Sequence, residues 1–221
     1  MKSVKLLIAV CGLMLAVGPT YAHDGVSHAP SQDAAQKQPA ASVAAPKLQA
    51  AMRGLWHGHV VATRDYALAV KANDAKRASR AADAVVANAK QIADAVAGFY
   101  GKPAGDQLLG LLAGHWGAVK AMTDAEHSQD KEAGTKAMST LIGNADQIAA
   151  FLAGANPYLP ADAVRGLLVA HGGHHATQIS QVMKGDLKGE MATWKSMQSH
   201  MDVIADALAG AIAKQFPKKA A

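Results

Sequence analysis

The chain has 221 residues with a formal net charge of +5, and half of its residues are hydrophobic. The positive excess is small, aromatic residues are few and no long basic run occurs, which argues against nucleic-acid binding. The single cysteine lies within the first 22 residues, so a chain without them has no disulfide and no thiolate ligand.

Residues 1–22 have the pattern of a signal peptide. A basic start is followed by an apolar run at 6–17, and Thr20-Tyr21-Ala22 offers the small residues that a signal peptidase reads. The apolar run is too short to cross a bilayer. We therefore expect a periplasmic or secreted protein without membrane insertion.

Residues 23–46 contain three prolines and almost no large apolar side chains. Such a segment cannot bury enough surface to offset its chain entropy, which predicts a flexible leader. Cleavage after Ala22 would leave His23 at the new N-terminus, where its amine and ring could bind Cu(II) together. Residues 47–217 remain as a single domain.

A 56-residue period runs through this domain. His59, His115 and His171 are spaced by it, and the related segments NAKQIADAVAG, NADQIAAFLAG and HMDVIADALAG begin at 88, 144 and 200. Repeats on this scale indicate one supersecondary unit used several times. The three repeats are expected at about 47–101, 102–157 and 158–217.

Each repeat is predicted to be an antiparallel pair of helices. Alanine-rich segments carry apolar residues three and four apart, and strand alternation is absent. Turns are expected at 73–74, 129–130 and 185–186, where an aspartate can cap the following helix. The predicted fold is therefore all-α, a bundle of six helices built from three helical hairpins of about 56 residues.

The hairpin geometry predicts a polar pair in each of the first two repeats. Residues equidistant from the turn lie at the same level, which pairs His59 with Asn88 and His115 with Asn144. All four lie on apolar helix faces, and a buried imidazole needs a hydrogen-bond partner. These residues are interpreted as structural polar pairs.

The third repeat differs, because His200 replaces asparagine and the partner helix contains additional histidines. His171 and His175 are four residues apart on one helix face, a spacing that lets two imidazoles hold one metal ion. His200 is predicted to face them across the hairpin, with Met197 level with His175. Imidazoles suit zinc, and a thioether in addition favours copper.

The segments LWHGHVVATR and NADQIAAFLAGANPYL resemble a family of small bacterial helical proteins. Its members carry LWxxHVxxTR-like and NAxxIAxFLAxxNPYL-like motifs, and the resemblance covers roughly residues 53–160. It implies a helical fold and places the first two histidines and asparagines in a family pattern, but it implies no activity. The glutamate that often precedes the histidine in that family is replaced here by Gly58, Gly114 and Ala170.

Two hypotheses for function follow. The first is an exported copper- or zinc-binding protein with His171, His175 and His200 as core ligands, assisted by Met197 or, separately, by His23. The second is a non-catalytic structural or interaction scaffold whose histidines are paired with asparagines and bind no metal. An enzyme is less favoured than either, since no nucleophile–base set, paired core carboxylates or phosphate-binding loop is found.

Overall fold

The computed structural model describes residues 45–220, so the predicted signal peptide, almost all of the leader and His23 lie outside the described residues. The predicted all-α bundle of six main helices is confirmed. The helices are α1 (Pro46–Lys71), α2 (Ala75–Tyr100), α3 (Lys102–Ser128), α4 (Lys131–Ala155), α5 (Ala161–Lys184) and α6 (Leu187–Gln215), followed by the short α7 (Pro217–Ala220). None of the helices in this described part is both long and apolar enough to span a membrane.

One tight turn joins the two helices of each hairpin, and the three turns lie at the positions predicted from the sequence. The side chains of Asp74, Asp130 and Asp186 each accept a hydrogen bond from the backbone N–H three residues later, at the start of α2, α4 and α6. The residue before each aspartate has a left-handed backbone, with φ of 55° at Asn73, 60° at Gln129 and 73° at Gly185. These turns reverse the chain and make the two helices of each hairpin antiparallel.

The six helices form a closed ring. Each packs against the next in the chain, and α6 packs against α1. The odd-numbered helices α1, α3 and α5 also contact one another, so their inward faces meet at the centre of the bundle. A residue at the same inward position of all three helices is therefore brought close to its two counterparts.

Small residues allow the helices to approach closely. At Gly105 in α3, an added Cβ atom would lie 2.7 Å from the Cβ of Ala97 and 2.9 Å from the carbonyl oxygen of Ala93, both in α2. A side chain there would push the two helices apart. The tight α2–α3 contact thus depends on glycine, and it helps to fix how neighbouring hairpins pack.

Candidate metal centre

Three histidines, one from each odd-numbered helix, meet at the centre of the bundle. The ring centroids of His59 and His115 are 5.7 Å apart, those of His59 and His171 are 5.8 Å apart, and those of His115 and His171 are 5.5 Å apart. The three rings therefore form a nearly equilateral triangle. The 56-residue spacing in the sequence corresponds to this arrangement in space.

A fourth histidine joins the triangle from one side. His175 lies one helical turn beyond His171, and the Nε2 atoms of these two rings are 3.0 Å apart. Its ring centroid is 5.9 Å from that of His59 and 6.0 Å from that of His115. All four side chains are buried, and one nitrogen from each lies within 4.8 Å of the others. We call these four residues the histidine cluster.

The spacing of the cluster is close to that of a metal site. Four nitrogens bound tetrahedrally to one ion at about 2.0–2.1 Å stand about 3.4 Å apart. The widest pair in the cluster would therefore have to close by no more than about 1.4 Å. Small side-chain rotations can supply such a movement, and the His171–His175 pair is already closer than the ideal spacing.

Several ring nitrogens of the cluster have no hydrogen-bond partner. These are Nε2 of His59, both ring nitrogens of His115, and Nδ1 of His171. A neutral imidazole has one N–H donor and one acceptor lone pair, and leaving a buried polar group unpaired costs about 1–3 kcal/mol. A bound cation would use the free lone pairs, so the donor set fits a transition metal.

Burial keeps the cluster neutral. It lowers the pKa of His59 to about 3, with the neighbouring His115 as a smaller cause. It lowers the pKa of His115 to about 4, partly opposed by the nearby Asn144. The pKa values of His171 and His175 also lie well below the ordinary value, first because of burial and then because the other cluster histidines are close. Neutral imidazole is the form that binds metals.

Of the ligands predicted from the sequence, the structure brings His171 and His175 into the cluster. His200 lies outside it, half-buried, and its Nε2–H donates to the carbonyl oxygen of Leu167 over 2.8 Å. Met197 is completely buried in the apolar core beside α1, together with Met201.

The two asparagines use their side chains in the same way as His200. Nδ2 of Asn88 donates to the carbonyl oxygen of Leu55 over 2.9 Å, and Nδ2 of Asn144 donates to that of Leu111 over 3.0 Å. The three bonds recur at the 56-residue interval. Both asparagines are buried, and each amide donates to the backbone carbonyl one turn before the histidine. No hydrogen bond of ordinary geometry joins Asn88 to His59 or Asn144 to His115.

The glycine before each of the first two histidines makes room for the contact between the asparagine amide and the backbone carbonyl. A Cβ atom at Gly58 would lie 2.9 Å from Nδ2 of Asn88, and one at Gly114 would lie 3.1 Å from Nδ2 of Asn144. A larger residue would displace the amide from its carbonyl partner. The asparagine and glycine together therefore fix the register of each hairpin, while the adjacent histidine is left free to face the centre.

His59 and His115 belong to the cluster, although their sequence pattern was interpreted as structural pairing with asparagine. That interpretation rests on contacts within a hairpin, whereas the cluster is formed by contacts between hairpins. The signal was present in the 56-residue period, because equivalent inward positions of three repeats in a closed ring converge. The fourth member has no such counterpart, since Thr63 and Val119 occupy the positions equivalent to His175.

A polar network of side chains from α1, α5 and α6 lies one helical turn past His175. Nε2 of Gln178 donates to Glu190 over 2.9 Å, and Arg64 donates to both carboxylate oxygens of Glu190 over 2.6 and 2.8 Å. These bonds, chiefly those from Arg64, lower the pKa of the Glu190 carboxyl group. The charge of this buried carboxylate is already matched by Arg64. Among the described residues, the metal-type cluster consists of histidines alone.

No family model matches this chain, and neither a curated protein nor a solved structure matches it. The four-histidine geometry therefore carries the functional argument by itself.

Proposed function

We propose that this protein is an exported, periplasmic metal-binding protein that holds one copper or zinc ion with His59, His115, His171 and His175. The observation that carries the proposal is the convergence of four buried, neutral imidazoles whose nitrogens lie within 4.8 Å of one another. Their unpaired ring nitrogens support it. The N-terminal signal-peptide pattern supports export.

The donor set narrows the metals to those that imidazole binds well. Copper and zinc both accept nitrogen ligands, whereas magnesium and calcium prefer oxygen. The cluster contains no carboxylate to offset the charge of the ion. Burying a charge is costly, and this cost is smaller for a monovalent than for a divalent ion. Cu(I) therefore suits the site best, with zinc as the second choice.

Elemental analysis of the protein purified from the periplasm tests the proposal directly. We expect one equivalent of copper or zinc per chain, and a variant with His115→Leu and His171→Leu should contain less than a tenth of that amount. His200→Asn is the matched control, because it removes a histidine outside the cluster and restores the residue type of the other repeats. It should bind metal like the parent.

Two results would overturn the proposal. One is a parent protein that takes up neither copper nor zinc, after purification or after titration of the metal-free form. The other is full metal binding by the double-leucine variant, which would place the site elsewhere, for example at His23. The first result would favour a scaffold that binds no metal, and the second would leave the four cluster histidines with only a structural role.

A further inference from the structure

An apolar cavity of about 60 Å³ adjoins the histidine triangle. Its lining includes His59, His115 and His171 but not His175. The other lining residues of α1, α3 and α5 all precede these histidines in the sequence, whereas His175 follows His171 by one turn. The cavity and His175 therefore lie on opposite sides of the triangle.

The walls of the cavity are almost entirely carbon. The polar side chains away from the triangle are Tyr100 and Asn156, and these already bond each other, with Nδ2 of Asn156 donating to the Tyr100 hydroxyl over 2.8 Å. Oδ1 of Asn156 accepts from the backbone N–H of Tyr158. An apolar cavity of this kind stays dry, and it is smaller than the roughly 150 Å³ that admits benzene. It fits a molecule of only a few atoms.

We propose that this cavity binds an uncharged, apolar molecule of diatomic size, of the class that includes dioxygen, nitric oxide and carbon monoxide, next to the histidine triangle. The proposal needs no metal, because the protein alone forms the cavity.

Xenon binding to the metal-free protein tests the cavity alone. We expect the parent to bind xenon at one saturable site, measured by the ¹²⁹Xe chemical shift as a function of xenon pressure. Val164→Phe fills the cavity and should weaken xenon binding at least tenfold. Val61→Phe adds the same bulk at an exposed position of α1 and should leave it unchanged. If Val164→Phe does not fold, Ala155→Leu, from the half-buried part of the lining, replaces it.

Absence of xenon binding in the parent overturns the proposal. Undiminished xenon binding by the filled variant also overturns it, because the xenon would then lie outside this cavity. Neither result depends on whether the protein binds copper or zinc, so the proposed function is tested separately.

Discussion

A histidine on the inward face of an apolar helix lowers the stability of the fold unless its ring nitrogens have hydrogen-bond or metal partners. Four such residues meet here, and the one ring-to-ring hydrogen bond links only His171 and His175. His115 and His171 stack with their ring planes only 11° apart, an arrangement that offers their nitrogens no donor or acceptor. Leucine at these positions would pack without polar cost. The choice of histidine is thus better explained by a bound cation than by packing.

The fourth histidine can be removed with a substitution that the protein already uses. His175→Val introduces the residue found at the equivalent position 119 of the second repeat. We expect the variant to fold and to bind metal at least about tenfold more weakly, because even residues that only support metal ligands contribute about 10–100-fold. Competition with a chelator of known affinity measures the change. Unaltered affinity would show that His175 is not a ligand.

At the scale of the elements, backbone geometry and helix spacing determine how the hairpins hold the cluster. The three turns differ in how well their residues fit the left-handed conformation. Gly185 adopts it without strain, but Asn73 and Gln129 have a Cβ atom that disfavours it. The close α2–α3 contact at Gly105 depends on the absence of a side chain.

Gln129→Gly should stabilise the protein. It removes a Cβ atom from a residue with φ of 60°, and the relief exceeds the entropy cost of glycine by about 0.5–1 kcal/mol. Urea unfolding measures the difference in the free energy of unfolding. Gly185→Gln is the reciprocal control, and it should destabilise by a similar amount. Equal stability of all three proteins would contradict the argument.

Gly105→Ala should destabilise the protein by about 1–3 kcal/mol, because the new methyl group would overlap α2. Gly110→Ala in the same helix is the matched control. A Cβ atom at Gly110 meets nothing within 4 Å, so this variant should gain up to about 1 kcal/mol from the higher helix propensity of alanine. Thermal and urea unfolding of the two variants should therefore shift in opposite directions.

At the scale of the whole molecule, the sequence predicted the elements well and their assembly only in part. Helix periodicity and capping aspartates depend on neighbours in the chain, which is why the six helices and the turns at Asp74, Asp130 and Asp186 were predictable. The cluster depends on contacts between hairpins. Those contacts follow from closing the ring, and closure is determined by packing at sites such as Gly105 rather than by local pattern. The placement of His59 beside His171 therefore required the three-dimensional structure.

The neutral cluster also links stability to pH. An imidazole in the unfolded chain has an ordinary pKa of 6.5, whereas burial lowers the pKa of His59 to about 3 and that of His115 to about 4 in the folded state. Burial also lowers the pKa values of His171 and His175. Below pH 6.5 the unfolded chain therefore binds protons that the folded protein does not. The free energy of unfolding must fall as the pH decreases.

For the metal-free protein we expect this loss of stability between pH 6.5 and about 4, where the folded His115 begins to accept a proton. Each neutral buried histidine contributes a slope of up to about 1.4 kcal/mol per pH unit, so four of them give a slope of up to about 5–6 kcal/mol per pH unit. The lowered carboxyl pKa values, such as that of Glu190, act in the same direction only at more acid pH. Urea unfolding in the presence of a chelator, at steps from pH 7 to 4.5, measures the slope. A variant with His59→Leu and His115→Leu should show about half of it, and an identical slope in both proteins would mean that the cluster is not neutral in the folded state.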